Sequence, residues 1–441
     1  MRFHYLLTSS LAAAIGINLA ACGGSGSSSV PTGASVSLLP TTQTESTTVD
    51  SAIHKDYVLT DLGTGLPGSP GLVPAAINNQ GTVVGEASVG ALGSLPTCSP
   101  ETCGPPEGWI FENGTLRQLP PLDSDSFTFA DDINNEGVVS GGSAGNIIEE
   151  AVLWKPNGTI RNLGTGLADS DSSAEAFAIS NSGKIVGVSY DATNTIPTTF
   201  NGSGGASLLC GNVQGYPSNI NDAGFTAGLL YLPQGGTAAM TCPPFGVIEA
   251  PPNPTFADFA VDLNNRNQIV GRITIGPSFG NFHPFLYQDG HTTDLGTLFP
   301  DNPASVGAAF GINDPGVIAG WSAAGGGVPG VKPIDPSAIM VIRGKMVNLN
   351  TLLPEKYRST WRLVVANAIN NRGQIAGTAW VGGYPNGVEH AFLLSPRGCE
   401  PAVSTGVVAT AQSISAKTLG HNWANAPIMA LRAQHLRSSA R

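Results

Sequence analysis

The chain carries one nine-residue pattern seven times, and that repetition limits its possible folds more than any other feature. Ile77-Asn78-Asn79-Gln80-Gly81-Thr82-Val83-Val84-Gly85 has six relatives, starting at Ile133, Ile179, Ile220, Leu263, Ile312 and Ile369. In all seven a glycine stands eight residues after the aliphatic start: Gly85, Gly141, Gly187, Gly228, Gly271, Gly320 and Gly377. The second residue is asparagine in six copies and Ser180 in the third; the fifth is glycine in six and Asn267 in the other. Self-similarity of this kind means stacked units, none of which buries its apolar face alone.

The unit reads as strands joined by tight turns. Ile-Asn-Asn-x-Gly between apolar residues predicts a hairpin, because the turn needs a positive φ that glycine adopts freely. Asn267 fits as the exception, asparagine being the next residue most willing to be left-handed. Alternating apolar residues such as Val83 and Ile185 predict the strand that leaves the turn. The glycine at the ninth position predicts a close backbone approach or a bend. Another hairpin lies between successive patterns. Trp109-Ile110-Phe111 runs through Asn113-Gly114 to Thr115 and Leu119, Val152 to Trp154 through Asn157-Gly158, and Phe285 to Tyr287 through Asp289-Gly290. Four short strands per unit, with starts 41 to 57 residues apart, fit a propeller blade better than a β-helix coil. Units 4 and 5 are the most degenerate, with their second strands expected near Leu208 and Val247.

Composition agrees. Gly 57 and Pro 33 argue against long helices, while 12% charged and 41% hydrophobic residues argue against a disordered chain. A formal net charge of −11 speaks against a nucleic-acid partner.

The fold expected is therefore all-β, a seven-bladed propeller of four-stranded blades spanning residues 49–398. Tyr57 to Gly63 matches the second strand of a unit with no first strand before it; His390 to Gly398 matches a first strand with no second after it. Pairing these two would close the first blade with the C-terminal strand, expected as its inner strand, and remove two exposed sheet edges.

Both termini read differently from the repeats. Residues 1–21 describe a secretory signal peptide, too short to span a membrane. Leu19-Ala20-Ala21-Cys22-Gly23 resembles the bacterial lipobox, which implies that Cys22 is diacylated and begins the mature chain. Two acyl chains at ~0.8 kcal/mol per buried methylene make a lasting membrane anchor where one would not. No aspartate follows Cys22, which resembles lipoproteins passed to the outer membrane. Residues 22–48 are then a flexible Ser/Gly/Thr tether, and residues 399–441, without repeats, a disordered tail.

The repeat residues also carry a family resemblance. His283-Pro-Phe-Leu, Asp294-Leu-Gly-Thr-Leu, Ala309-Phe-Gly-Ile-Asn-Asp and Ile318-Ala-Gly resemble the HAF family of bacterial extracellular repeats. Met346-Val-Asn-Leu-Asn-Thr-Leu-Leu-Pro, Ala366 to Gly377 and His390-Ala-Phe-Leu-Leu extend the likeness, which covers residues 57 to about 398. Units 4 and 5 lack the His-Ala-Phe opening. The resemblance implies an exported repeat protein with no assigned chemistry.

Five cysteines remain after Cys22. Cys98 and Cys103 share one short loop and would bridge in an oxidising compartment. Cys210 and Cys242, in adjacent units, are a second candidate pair, and Cys399 is left over. There is no Gly-rich phosphate loop and no His-Glu-x-x-His, so no catalytic residue and no cofactor is assigned. His283 and His390 read as repeat positions. Asp123 and Asp125, with Asp169 and Asp171, alternate with serine in equivalent loops. They are calcium candidates, although the glycine and closing glutamate of an EF-hand are missing. Tyr190, Tyr231 and Trp380, each eleven residues after an aliphatic start, are candidates for stacking on a sugar or anchoring a peptide, with packing between blades as the alternative. The leading function is a lipid-anchored envelope module binding carbohydrate or protein. The alternatives are a propeller hydrolase or lyase using the central channel, and a purely structural lipoprotein.

Overall fold

Each Ile-Asn turn joins the two strands nearest a common axis. The computed structural model describes residues 56–399 except 67–68, 88–106, 124, 146–147, 168–172, 192, 234–235, 251–254, 276–280, 326–333 and 385–386. The lipobox cysteine Cys22, the tether, the tail, Cys98, Cys103, Asp169 and Asp171 lie outside the described residues.

Seven antiparallel blades of four strands form a ring, giving a β-propeller. Blade 1 runs outward from Leu72–Ile77 through Val83–Ala87 and Glu107–Glu112 to Thr115–Gln118. The inner strands of blades 2 to 6 are Phe127–Ile133, Ser173–Ile179, Gly215–Ile220, Thr255–Leu263 and Val306–Ile312. The outermost strands of blades 3 and 4, Ala206–Leu208 and Gly246–Val247, are short, matching the degenerate repeats there. Blade 5 carries an extra two-residue strand, Glu249–Ala250, beside its inner strand.

Closure joins the two ends of the array. Blade 7 consists of Trp361–Ile369, Ile375–Val381, Val388–Pro396 and, outermost, Tyr57–Gly63. Tyr57 pairs with Pro396 and Asp61 with Phe392. The pairing is the one the orphan strands predict, but its place differs. Val388–Pro396 is third from the axis, not innermost, and completes the last blade. The strand before the Ile-Asn turn takes the inner place, and the residues that precede the aliphatic starts there are small or polar: Ala76, Asp132, Ala178, Asn219, Asp262, Gly311 and Ala368.

The ninth-position glycine is a device of close approach. Each inner strand has a register shift, as between Glu175 and Ala178 in blade 3, and the bulged carbonyl presses on the facing glycine. A Cβ on Gly187 would lie 1.9 Å from the Glu175 carbonyl oxygen, and one on Gly85 would lie 2.0 Å from that of Val73. No side chain fits there. At the turn, Asn267 adopts a φ of 57°, the left-handed conformation its glycine counterparts take.

The core lies between blades. Leu153 and Leu163 of blade 2 pack with Ala176, Ile179 and Phe200 of blade 3. Tyr57, Leu59, Phe392 and Leu394 pack with Met340 and Val347 of blade 6. Each large apolar side chain buried in this way contributes roughly 1.5–3 kcal/mol. Cys210 and Cys242 form a disulfide that crosses from the edge of blade 3 to the third strand of blade 4. Cys399, left over in the pairing expected from sequence, is also disulfide-bonded.

Candidate functional site: the axial cavity and its mouth

The turn asparagines do two tasks at once. In blade 1, Asn78 Oδ1 accepts from the backbone N–H groups of Gln80 and Thr82, 3.1 and 3.0 Å away, and so caps its own turn. Its Nδ2 donates to the Asn134 carbonyl of the next blade at 3.2 Å. The same bridge runs from Asn134 to Ser180, Asn221 to Asn264, Asn264 to Asn313, Asn313 to Asn370 and Asn370 to Asn78. An amide offers an acceptor and a donor on two separate atoms of one short side chain, so it can cap its own turn and reach the next blade at once. Ser180 cannot reach, and there Ser182 Oγ donates to the Asp222 carbonyl at 2.9 Å while Lys184 Nζ donates to that of Ala223 at 2.6 Å. The disulfide spans this same seam between blades 3 and 4.

The third residue of each pattern forms a second circle. The Asn79 backbone N–H donates to Asn135 Oδ1, and the relay continues through Asn181, Asp222, Asn265, Asp314 and Asn371. Asn371 N–H donates to Asn79 Oδ1 at 2.9 Å and completes it. Only an Oδ1 acceptor is needed, so aspartate and asparagine interchange. Their second carboxylate oxygens face amides: Asn371 Nδ2 donates to Asp314 Oδ2 at 2.7 Å, and Asn265 Nδ2 to Asp222 Oδ2 at 3.0 Å.

Behind this mouth lies a cavity of about 240 Å³, lined by all seven blades. Its wall includes Asp132, Asn219 and Asp262, and it holds no Lys, Arg or His. Asp132 Oδ1 and Oδ2 accept from the N–H groups of Ile133 and Ile179 at 2.8 and 2.9 Å. Asp262 Oδ1 and Oδ2 accept from Leu263 and Ile312 at 2.8 and 2.7 Å, and the Asn219 amide also donates to Asp262. Burial outweighs these bonds and pushes Asp132 up to about 6. Burial, with a smaller contribution from the charge of Asp132, pushes Asp262 up to about 7. Carboxyls so shifted in a cleft are a recurrent mark of function.

Sequence reading did not single out these residues. The signal available was the alignment column before the aliphatic start, where two aspartates stand among Ala, Gly and Asn. The third column, all Asn or Asp, pointed to the mouth.

The residues that sequence did single out lie elsewhere. The Tyr190 hydroxyl donates to Glu149 Oε2 at 2.5 Å between blades 2 and 3; burial, then the charges of Glu149 and Glu175, raises its pKa far above the usual phenol value. The Tyr231 ring meets that of Tyr216 at 6.3 Å, edge to face. Trp380 is 6% exposed and packs against Tyr384. All three occupy inter-blade clusters, the arrangement set beside the rim reading as its alternative. His283 and His390 each bind the aspartate of the neighbouring outer strand: Nδ1 of His283 lies 2.9 Å from Asp294 Oδ2, and that of His390 lies 3.0 Å from Asp61 Oδ1. The equivalent places in blade 2 hold Glu150 and Asn162, joined at 2.8 Å. The His-Ala-Phe and Asp-Leu-Gly motifs are thus two halves of one clasp. Asp123 is exposed, and Asp125 Oδ2 accepts from Ser143 Oγ at 2.7 Å. Among the described residues no group of three or more His, Cys, Asp or Glu side chains is placed to hold a metal ion, and no helix is long and apolar enough to cross a membrane.

No family model matches the chain, and no curated protein matches it in sequence. Solved structures match in fold. Virginiamycin B lyase from Staphylococcus aureus matches at 13% identity and a TM-score of 0.43, over 77% of this chain and 99% of that one. The β-propeller domain of the Trilobed protease from Pyrococcus furiosus matches at 10% identity and 0.45, over 79% and 100%. TolB from Acinetobacter baumannii matches at 12% identity and 0.35, over 51% of this chain and about half, 53%, of that one.

Proposed function

We propose that the chain is an exported binding module, held to the envelope by lipid on Cys22, whose axial cavity and mouth take a carbohydrate. The supporting observation is the mouth itself. Asn and Asp side chains from seven blades converge at fixed spacing on one cavity, offering the mixed donors and acceptors that hydroxyl groups require. A volume of about 240 Å³ suits a single sugar residue better than a folded protein surface. The lipobox resemblance supports the anchor, and the likeness to the HAF repeats supports export.

The test is a glycan and peptidoglycan array probed with the soluble fragment from Thr48 onward. Binding that Asp222→Ala and Asp314→Ala weaken together supports the reading; hits indifferent to both changes overturn it. For the anchor, Cys22→Ser should release the protein to the soluble fraction, and equal palmitate labelling of both forms would refute it. The raised carboxyls of Asp132 and Asp262 favour one second reading, acid-assisted cleavage of a bound sugar, which turnover of an array hit would reveal.

A further inference from the structure

We infer that the seam between blades 3 and 4 is a redox latch: the Cys210–Cys242 disulfide holds its outer half shut, and exchange with a dithiol lets that half part.

The first argument is what the seam lacks. At the six other seams an asparagine amide donates across to a carbonyl of the next blade. Ser180 has no such donor arm, and its Oγ accepts from the Lys184 N–H of its own turn at 3.0 Å. The ties that stand in for the bridge run from Asn181, Ser182 and Lys184 to Asp222 and Ala223, and all are exposed. Water competes for such contacts, so each adds little.

The second argument is packing. Close to the axis the seam is tight, for Phe177 of blade 3 meets Tyr216 of blade 4 edge to face with ring centres 5.8 Å apart. A second, smaller cluster joins Ala178 and Val186 to Ile220, with Leu209 half-buried beside it. Leu163 and Ile248, which hold the place of Leu209 in blades 2 and 4, are buried. The outermost strands on the two sides are three and two residues long. The outer half is thus poor in both hydrogen bonds and buried surface, and the covalent bond stands where they are missing. The aromatic inner half is the hinge.

The bond is also placed to be reached. Cys242 is buried and Cys210 half-buried, while Leu208 and Phe245, two and three positions from the cysteines, are 49% and 48% exposed. The approach to Cys210 is therefore open and apolar. A thiolate of the dithiol attacks Cys210 Sγ, forms a mixed disulfide and expels Cys242 as a thiolate. The second thiolate of the reductant then attacks its own sulfur in the mixed disulfide and releases Cys210. The two protons of the reductant's thiols pass to the two cysteines, and the reductant leaves oxidised to a disulfide. Phe177, Ser180, Asn219 and Asn221, from the two sides of the seam, line the axial cavity, so parting loosens that wall.

Hydrogen exchange of the full chain, oxidised and in dithiothreitol, tests the latch. Reduction should speed exchange at least tenfold in Ala206–Leu208 and Thr237–Cys242 while blades 1 and 6 stay protected. Cys210→Ser/Cys242→Ser should do the same without reductant, which separates this bond from that of Cys399; if the variant fails to fold, the reduced wild type carries the test. Adding Ser180→Asn to the double variant should restore slow exchange, because the new amide reaches the Asn221 carbonyl as Asn134 reaches that of Ser180. Exchange in blades 3 and 4 that ignores the bond overturns the latch. So does a rise spread evenly over all seven blades, or a Ser180→Asn change that restores nothing. Iodoacetamide labelling of Cys210 and Cys242 under native dithiothreitol supports access to the bond, and labelling only in urea overturns it.

Discussion

His390 Nδ1 lies 3.0 Å from Asp61 Oδ1, a contact between residues 329 apart in sequence that clasps the strand near the C-terminus to the first described strand. Asp61 Oδ1 also accepts from Gly63 N–H at 2.9 Å. His283 and Asp294 repeat the arrangement inside blade 5, so the two clasps form a natural pair of experiments. Both are partly exposed and worth about 1 kcal/mol or less. His390→Ala, the one that spans the seam, should speed unfolding measurably in urea-jump kinetics, while His283→Ala should leave the rate nearly unchanged. Equal rates would mean that the seam does not open first.

Acid should weaken the clasp in blade 5. Burial tends to raise Asp294, but the His283 hydrogen bond, the Gly296 N–H and the His283 charge outweigh it and hold the carboxyl below 3.8. A lowered folded value gives stability that is present above the ordinary pKa and lost as pH falls through the folded one. The stability difference between wild type and His283→Ala should therefore shrink as pH falls below about 4. Denaturant midpoints at pH 2.5 and pH 6 check this.

The cavity acids predict the opposite slope. Asp132 and Asp262 are raised from 3.8 to about 6 and about 7, so between pH 4 and 7 the folded chain binds more protons than the unfolded one. Their contribution is fully present at low pH and lost as pH rises through the folded values. The double variant Asp132→Asn/Asp262→Asn should show a flatter fall in Tm between pH 4.5 and 8. An unchanged slope would mean that water reaches the two carboxyls and that burial does not raise them.

Two glycine positions should differ in kind. Gly187→Ala sets a Cβ against a backbone oxygen 1.9 Å away, which can be relieved only by breaking the bulge, so loss of the cooperative fold is expected. Gly137 has a φ of 77°, and Gly137→Val should cost on the order of 1–3 kcal/mol, with Glu136→Ala near neutral. Chemical denaturation of the three variants tests the ranking.

The amide circle should be sensitive to chemistry at constant shape. Asn313→Asp keeps the acceptor that caps the turn at Val317 N–H but deletes the donor to the Asn370 carbonyl, 2.9 Å away. The cost should be about 1–3 kcal/mol. If Asn313→Asp is as stable as wild type, the bridge contributes nothing to blade cohesion.

How much of this was legible follows from what is local. Turns such as Asn78 to Gly81 were readable because positive φ selects residue types within five positions. The orphan strands at Tyr57 and His390 announced closure because a missing partner shows in any alignment of repeats. The phase of the blade was not readable. Which strand lies innermost is a property of the ring as a whole, and no single repeat carries it. Tyr190 and Trp380 do share a layer, as their spacing implied, but strand pleating turns them between blades. Asp132 and Asp262 stand 130 positions apart, and only the circular arrangement brings both to the wall of one cavity.

The mouth and the floor of the cavity differ in what they can tell a ligand. Rotate the molecule by one blade about its axis and the entrance is almost the same, an amide or carboxyl replacing its like at every step. A molecule entering there receives no bearing. The floor has a single orientation, because Asp132, Asn219 and Asp262 interrupt the run of Ala and Gly on only part of the circumference. Direction around the axis is therefore learned late, after entry.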